Sequence, residues 1–489
     1  MRLLRVPAIE RIRPIDLAER FRDLPGLALL ESARPGRRSR WSYLTADPIS
    51  VLEAPTAGPD PFADARNLLR RLDATGSNDT DGAPPPFIGG LLGYLGYDFG
   101  RRLERLPSIA SPDQDLPLLR LGLHDWVIAW DRLSDRAWLG GRAVDGDAAR
   151  LDHRLGAVLD RIESDAVPTN GGDDALPDLV FRSGLDRTAF EARVGLVRAA
   201  IERGEIYQAN LTRRLEAAFD RDPWPLYRRL RTGDPALFSA YLDLGAVPGT
   251  VARRGLISAS PEPFLAVDAV GRVATDPIKG TRPRGRTPDE DRRLARELLA
   301  SGKDRAENVM IVDVLRNDLG RVCRPGSVRV PRLLRLERTA SVQHLVTTVT
   351  GRLAPGRDAF DLLRASFPGG SITGAPKIRA MEILESLEPV RRGPYTGALG
   401  WIGPDGAMAT SILIRTFVAD GRRLTLHVGG GITWQSNPAA EWEETRAKAA
   451  GPLGAIGGAE VDEGGAAIDK GGAEVDEIHG AGRLPIGGG

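Results

Sequence analysis

The order of helical and strand-like segments restricts the fold of this chain more than any other feature. Apolar and polar residues alternate from Arg423 to Val428, as they do in strands. Asp304 to Leu319 instead places apolar side chains at helical spacing, and Gly320 suits a C-cap. Because strand-like segments follow one another in runs, we predict an α+β fold and not a doubly wound parallel sheet.

Composition excludes several classes of function. Lys plus Arg (67) almost equals Asp plus Glu (66), so no basic surplus indicates a nucleic-acid partner. No apolar stretch approaches the ~20 residues of a membrane span, and the N-terminus lacks the apolar core of a secretory signal. We therefore expect a cytoplasmic protein without a membrane partner. The single cysteine, Cys323, rules out an intramolecular disulfide, and we expect it to serve packing.

Shifts in composition divide the sequence into three regions. Residues 1–165 form an N-terminal region, and a polar, Gly-rich segment separates them from residues 179–454, which hold the chemically informative motifs. The composition changes again after Gly451, and a seven-residue unit is then repeated three times. Each unit opens with two glycines, so we expect residues 455–489 to be a flexible tail without a catalytic role.

Two glycine-rich segments resemble nucleotide-binding loops only superficially. Gly89 to Gly96 lacks the acidic residue of a dinucleotide site, so a buried strand is the better interpretation. In Gly369 to Lys377 the lysine comes two positions too late for a phosphate loop. Pro376 also removes a backbone donor there. We predict no nucleotide site.

One C-terminal helix carries a cluster of charges. Asn437 suits its N-cap and Gly451 its end, and Glu441, Glu444 and Lys448 project from one face. A solvated helix face would explain these charges equally well if the helix stood alone.

A second predicted helix favours a functional role for these charges over a solvated helix face. It carries Glu307. In addition, we expect a strand to end at Val428, and the glycines that follow it, Gly429 to Gly431, can present backbone N–H groups to an anion. Mg²⁺ prefers oxygen ligands and usually takes one or two protein carboxylates. Glu307 with Glu444 or Glu441 would suit a metal that also contacts a substrate carboxylate.

Six motifs then occur in a fixed order, and together they resemble the chorismate-binding enzymes. This family includes anthranilate, isochorismate, salicylate and aminodeoxychorismate synthases. The resemblance is strong over 179–454 and extends weakly to Leu29–Ser32 and Gly93–Asp98. It implies large antiparallel sheets that form a sandwich-like core wrapped by helices. The motifs are Ile206–Leu211, Ser260–Phe264, Pro277–Thr281, Arg305–Asn308, Phe367–Lys377, and Gly429–Gly431 followed by Glu441–Lys448.

The resemblance also implies roles for single residues. Glu307 and Glu444 would bind Mg²⁺ with Glu441 close by, and the metal would hold the ring carboxylate of chorismate. His344 is a secondary candidate near the reacting ring, although an isolated histidine in an apolar segment is more often a core residue. The remaining substrate-binding positions are Gly280, Thr281, Tyr395, Arg415, Gly429, Gly430, Gly431 and Lys448.

Two positions indicate which branch of the family this chain resembles. Gln208 stands where the isochorismate and salicylate branch has a water-activating lysine, and glutamine cannot act as a general base. Lys279 stands where the anthranilate branch typically has alanine and the aminodeoxychorismate synthases have a nucleophilic lysine. Alone, Lys279 would pass for a surface cation. Within its motif we expect it to be the nucleophile, with Glu262 as general acid/base. An attacking lysine must be neutral, and we expect the nearby cations Arg282, Arg284 and bound Mg²⁺ to help lower the pKa of its amine.

The expected reaction converts chorismate and ammonia to 4-amino-4-deoxychorismate, a step toward p-aminobenzoate and folate. The nearest alternative is anthranilate synthase component I, which releases pyruvate, and isochorismate synthase or an inactive homologue are others. A glutaminase needs a nucleophilic cysteine with a histidine, and nothing around Cys323 resembles one. We therefore expect a separate glutamine amidotransferase subunit to supply ammonia. Ser32 corresponds to a residue that lines a tryptophan pocket in relatives.

Overall fold

The strands account for most of the architecture. The computed structural model describes residues 1–34, 39–74, 84–164, 178–338 and 342–461. The strands in these ranges are β1 (Arg2–Arg5), β2 (Ala28–Glu31), β3 (Trp41–Thr45), β4 (Ser50–Ala54), β5 (Gly90–Leu95), β6 (Leu119–His124), β7 (Trp126–Asp131), β8 (Arg136–Gly141), β9 (Leu179–Ser183), β10 (Gln208–Ala218), β11 (Phe238–Ala246), β12 (Arg253–Ser260), β13 (Pro263–Val267), β14 (Arg272–Thr275), β15 (Ile278–Pro283), β16 (Arg329–Arg338), β17 (Val342–Arg352), β18 (Gly374–Ala375), β19 (Ala398–Ile402), β20 (Met408–Ile412), β21 (Thr416–Ala419), β22 (Arg423–Ile432) and β23 (Gly458–Val461).

The helices lie between and after these strands. In the same described ranges they are α1 (Pro14–Ala18), α2 (Pro61–Leu69), α3 (Ala148–Glu163), α4 (Arg187–Glu202), α5 (Trp224–Gly233), α6 (Pro288–Ala300), α7 (Gly302–Gly320), α8 (Ala359–Ser366), α9 (Lys377–Leu387) and α10 (Pro438–Ile456). None of these helices is long and apolar enough to cross a membrane.

The strands form two large sheets. The first runs β1-β8-β7-β3-β2-β11-β12-β21-β22-β10-β9-β23, with β18 paired to β10. The second runs β15-β17-β14-β13-β20-β19-β5-β6-β4, with β16 paired to β17. Neighbouring strands are antiparallel except β23, which pairs in parallel with β9. Strands from residues 1–165 and from 179–454 stand side by side in both sheets, so the sequence boundary between these regions does not separate two sheets.

Alternation along the strands explains how the sheets pack. Val127 and Ala129 of β7 face a core layer shared with the second sheet, where Tyr43 and Phe87 pack around Trp401. The intervening residues of β7 point to the opposite face, where α1, α3, α5 and α10 cover the first sheet. Helices α2, α7 and α8 cover the second sheet. This arrangement confirms the predicted α+β fold with antiparallel sheets wrapped by helices.

Several local predictions are confirmed. The segment predicted to be a buried strand is β5, whose residues are all buried. The helix predicted from Asp304 is α7, which begins at Gly302; Gly320 is its last residue and not the predicted C-cap, which is Arg321. Cys323 is buried in the core of the second sheet, and burial raises the pKa of its thiol, in agreement with a packing role.

Two further predicted boundaries are wrong. Strand β22 does not end at Val428 but continues through the three glycines to Ile432, because they pair with β10. Helix α10 continues past Gly451 and through Pro452 to Ile456, since Leu453 and Ile456 are buried in the core of the first sheet. Strand β23 follows, so the predicted flexible tail does not begin at residue 455. Residues 462–489 lie outside the described ranges.

Candidate active site

Lys279 lies on β15 beside a bulge. The pairing of β15 with β17 shifts register between Lys279 and Thr281, and Gly280 between them has a φ of 75°. A Cβ at Gly280 would lie 2.8 Å from Leu298 and 3.0 Å from Asp304, so only glycine fits there. Lys279 Nζ donates a hydrogen bond to the backbone carbonyl of Ser371 at 3.3 Å. The bulge therefore sets the position from which the lysine reaches into the protein.

Glu262 lies in the two-residue connection between β12 and β13 and is buried. Burial raises the pKa of its carboxyl, and the nearby Lys279 ammonium offsets part of that rise. The nearby Ser371 side chain and the Ile278 backbone also act to lower the pKa. One carboxyl oxygen, Oε1, has no hydrogen-bond partner among the described residues. The group is thus an acid with a raised pKa next to an amine.

Three glutamates on two helices face this region. Lys303 Nζ lies 3.9 Å from Oε1 of Glu307 on α7 and 3.7 Å from Oε1 of Glu441 on α10. On α10, Lys448 Nζ lies 2.7 Å from Oε1 of Glu444. Burial raises the pKa of both the Glu307 and the Glu441 carboxyl. Two partly desolvated carboxyls that share one exposed lysine would be stabilised in their charged form by a cation.

The carboxyl groups of α10 point toward β22. A Cβ at Gly430 would lie 3.0 Å from Oε2 of Glu441 and 3.6 Å from Oε1 of Glu444, so the glycine leaves room beside these oxygens. Lys448 Nζ donates to the carbonyl of Gly429 at 2.8 Å. The glycine strand and the charged face of α10 therefore form one wall.

This donor set suits Mg²⁺, which binds through one or two carboxylates and keeps other positions for water and substrate. Among the described residues, no three His, Cys, Asp or Glu side chains are gathered closely enough to hold a metal by themselves. Glu307, Glu444 and Glu441 would thus contribute one or two direct ligands, and not a closed cage.

The other predicted substrate residues differ in their depth below the surface. Thr281 Oγ1 and His344 Nδ1 are 2.9 Å apart across the β15–β17 ladder, where Thr281 is exposed. Tyr395 is buried and stacks on His427, with ring centroids 4.9 Å apart. The Arg415 guanidinium is exposed and lies 3.8 Å from Asp234 Oδ1.

The two arginines that were expected to act on Lys279 both pair with carboxylates. Arg282 pairs with Asp304 at 3.1 Å, and Arg284 pairs with Asp291 at 2.7 Å. Because each guanidinium is neutralised by its own carboxylate, the sequence-based expectation that these arginines bias the lysine is not supported.

Sequence reasoning missed two residues of the site. Lys303 stands four residues before Glu307, a helical spacing that predicts a pair. Ser371 lies in a motif that the sequence analysis quoted, but no spacing predicts its contact with Lys279, 92 residues away. Lys377 of that motif instead binds Asp318 at 2.7 Å, which is a structural role.

Ser32 lies apart from these residues, in a cavity of about 920 Å³ between the sheets. Trp41, Tyr43, Phe238 and Trp401 supply aromatic walls. The Ser32 hydroxyl donates to the carbonyl of Trp41 at 2.8 Å. The cavity surface is therefore largely apolar, and its lining also includes polar and charged side chains.

Comparison with known proteins assigns a class to this fold and site. The chorismate binding enzyme family matches residues 28–454. The chain therefore belongs to the chorismate binding enzyme family.

Individual relatives carry two different names. An anthranilate synthase component 1 from Streptomyces coelicolor is 42% identical over 449 residues, which cover 88% of this chain and 84% of that protein. An aminodeoxychorismate synthase component 1 from Salmonella typhimurium is 40% identical over 420 residues, covering 83% of this chain and 87% of the relative. The crystal structure of anthranilate synthase component I from Streptococcus pneumoniae has a TM-score of 0.74 at 29% identity and covers 86% of this chain and 93% of that chain.

Proposed function

We propose that this chain is the synthase subunit of an aminodeoxychorismate synthase, which converts chorismate and ammonia to 4-amino-4-deoxychorismate for p-aminobenzoate and folate synthesis. The observation that carries the proposal is the placement of the Lys279 amine, which donates to the carbonyl of Ser371, near the buried, protonatable Glu262 carboxyl. An amine in this position is suited to covalent catalysis, which divides one difficult substitution into two easier ones.

The proposed chemistry has two steps. The neutral Lys279 amine adds at C2 of the chorismate ring, both double bonds of the ring diene shift, and the C4 hydroxyl leaves as water with a proton from Glu262, which then takes the proton that the added lysine nitrogen loses. Ammonia adds at C4, both double bonds shift back, and the C2–N bond breaks as Glu262 returns a proton to the lysine nitrogen. Burial supports the acid role, because it raises the pKa of Glu262 and keeps a larger fraction protonated.

Substrate binding would use the charged and glycine-lined walls. Glu307, Glu444 and Glu441 would hold Mg²⁺, which when bound supplies positive charge for the ring carboxylate of chorismate. Lys448, Arg415 and the Gly429–Gly431 backbone are suited to the second carboxylate, and Tyr395 to the enolpyruvyl group. Gly280, Thr281 and His344 would line the ring on the β15 side.

A second candidate is anthranilate synthase component I, the name of the Streptomyces coelicolor relative. Product analysis separates the two. We expect the purified chain with chorismate, Mg²⁺ and an ammonium salt to form 4-amino-4-deoxychorismate without pyruvate. Fluorescent anthranilate with equimolar pyruvate would instead establish the second candidate, and isochorismate formed without ammonia would defeat both.

We also infer that the ammonia comes from a separate glutamine amidotransferase. A glutaminase nucleophile must be a reactive thiolate, whereas Cys323, the single cysteine of the sequence, is buried with a raised thiol pKa. In the same assay, glutamine should not replace the ammonium salt. Turnover of glutamine by the purified chain would contradict this inference.

We propose that the Ser32 cavity binds tryptophan. Its aromatic walls and volume suit an indole ring, and the polar and charged side chains in its lining suit an amino acid. Ser32→Leu should weaken L-tryptophan binding in calorimetry by about tenfold or more, since overpacking a filled site costs roughly 1–3 kcal/mol. Ser386→Leu, on the exposed face of α9, is the matched control. Equal affinity in both variants would place the ligand elsewhere.

A further inference from the structure

The second sheet has an open edge at strand β16 (Arg329–Arg338). This strand pairs with β17, and no other described strand pairs with it. Two bulges interrupt β16, one between Arg329 and Arg332 and the other between Arg332 and Arg335. Because bulges disturb the regular ladder of hydrogen bonds, this edge is poorly suited to the addition of another strand. Its side chains, in contrast, remain available to a partner.

The two bulges place three arginines on one face of the sheet. In a regular strand, residues three positions apart point to opposite faces. Here Arg329, Arg332 and Arg335 lie opposite every second residue of β17, so they share one face. Their partners on β17 are Thr350, Thr348 and Val346. All three arginines are exposed, and none of them forms an ion pair with another described residue.

The second bulge also holds a leucine in an unfavourable backbone conformation. Leu334 has a φ of 51°, in the left-handed region that bulky side chains rarely adopt. Such a residue costs about 1–3 kcal/mol, and glycine would avoid the cost. The Leu334 N–H donates to Thr347 Oγ1 at 3.0 Å, which fixes the backbone at this point. A leucine held in this conformation indicates a use for its side chain.

The Leu334 side chain lines a groove of about 830 Å³ beside helix α7. Val309 and Met310 of α7 line the same groove, and Val309 is 41% exposed. The surface of the groove is mostly apolar. Its charged lining residues are Arg305, Asp313, Asp318 and Lys377. An apolar groove next to exposed charges has the composition of a protein interface, which combines an apolar centre with a polar rim.

This edge lies close to the candidate active site. Leu345 of β17 pairs with Lys279 on one side and with Leu336 of β16 on the other. Neighbouring strands are about 4.8 Å apart, so the β16 backbone runs about 10 Å from the backbone of Lys279. Ala306, which lines the groove, directly precedes Glu307. A protein bound at β16 would therefore release a small molecule next to the proposed reacting groups.

We propose that Arg329, Arg332, Arg335 and the Leu334 groove, together called the β16 edge, bind an acidic face of the glutamine amidotransferase subunit. This assignment rests on the proposed function, in which that subunit supplies ammonia. Carboxylates of the partner would meet guanidinium groups that have no competing ion pair. Ammonia released into water is diluted and protonated, so its transfer requires a partner docked near the site.

A second copy of this chain fits the β16 edge less well. In a two-fold dimer the same surface of both copies forms the interface. The arginines of one copy would then lie against the same arginines of the other, and like charges that face each other oppose association. An acidic partner removes this repulsion.

The test measures binding of the purified glutamine amidotransferase subunit of the same organism to the purified chain by calorimetry. Arg332→Glu should raise Kd about tenfold or more, because each 1.4 kcal/mol of lost attraction is a factor of ten. It should lower the glutamine-dependent consumption of chorismate at a limiting concentration of the subunit. Consumption with an ammonium salt should stay within about twofold of wild type, since the arginine is outside the proposed site.

Leu334→Gly tests the groove without straining the fold. Glycine accepts the left-handed backbone conformation, and relief of strain should offset its greater freedom in the unfolded chain, so Tm should stay close to wild type. Loss of the side chain should raise Kd about tenfold or more, in line with the burial of one leucine. The matched control is Arg221→Glu, an exposed arginine between β10 and α5 in the first sheet. It should bind as the wild type does.

Several outcomes would overturn the proposal. Wild-type affinity in both Arg332→Glu and Leu334→Gly would do so, and so would equal weakening in Arg221→Glu. Aggregation of Arg332→Glu with unchanged affinity would show that the arginines only protect the edge strand. A dimer of the wild-type chain alone that Arg332→Glu dissociates in sedimentation would show that a second copy occupies the β16 edge.

Binding is measured without chorismate, so its result does not depend on the product. If the wild-type chain makes anthranilate, the proposed reaction fails, but weaker binding by Arg332→Glu would still support the docking surface. Formation of 4-amino-4-deoxychorismate together with unchanged binding in the variants would support the reaction and overturn the surface. A wild-type chain that does not bind the subunit at all would overturn the surface and the inferred source of ammonia together.

Discussion

Lys279→Ala is expected to lower the formation of 4-amino-4-deoxychorismate by about 10³-fold or more and to abolish the covalent adduct with substrate. Alanine leaves the β15 backbone and its bulge in place while removing the amine that contacts Ser371. Without this nucleophile, ammonia has to displace the C4 hydroxyl in one step, so the benefit of dividing the reaction is lost. The mutation should therefore affect kcat much more strongly than KM.

Mass spectrometry of the intact protein measures the adduct directly. With chorismate and Mg²⁺ but no ammonia, the wild-type chain should accumulate a species heavier by the dehydrated substrate, because the second step cannot occur. Arg316→Ala, which removes an exposed cation on α7, should retain the adduct and full turnover. An adduct that persists in Lys279→Ala would show that another residue is the nucleophile.

Glu307→Gln is expected to weaken Mg²⁺ binding and turnover by about 10²-fold or more. The amide has nearly the shape of the carboxylate, but it is neutral and cannot balance a divalent cation. Lys303 lies near both Glu307 and Glu441. When Glu307 loses its charge, the positive charge of Lys303 is balanced less well, and it therefore repels the cation more strongly. Calorimetric titration with Mg²⁺ measures the binding independently of activity.

Glu443→Gln controls for the loss of a carboxylate from the same region. Glu443 is adjacent to Glu444 on α10, but it is exposed and pairs with Arg446 and Arg187 away from the site. This variant should bind Mg²⁺ as the wild type does. Equal weakening in both variants would mean that the cation responds to overall charge and not to a ligand at position 307.

Local patterns predicted individual elements but placed their ends poorly. The strand from Arg423 and the helix that starts after Asn437 are where alternation and capping indicated. Gly429–Gly431 and Gly451 resemble stop signals, yet both elements continue past them. Pairing with β10 and burial of Leu453 and Ile456 outweigh the cost of glycine, and neither contact is visible in the sequence nearby.

In the candidate site, too, local spacing predicts some arrangements, whereas tertiary packing decides others. Glu441, Glu444 and Lys448 share a face because helical spacing alone requires it. Glu307 on α7 and Glu441 on α10 both lie near Lys303. This arrangement depends on how the two helices are placed in the fold. The pairing of Arg282 with Asp304 likewise depends on the packing of β15 against α7. This ion pair neutralises a cation that the sequence analysis expected to act on Lys279.

The sequence alone determined the fold class, the family resemblance and the chemical types of the residues in the site, because periodicity and ordered motifs are properties of neighbouring positions. Lys279, Glu262 and the three glutamates were identified in this way. Only the tertiary structure decided that the Lys279 amine contacts the carbonyl of Ser371, 92 positions away, and that Lys303 lies near both Glu307 and Glu441. A chain makes such contacts only after its sheets and helices have packed.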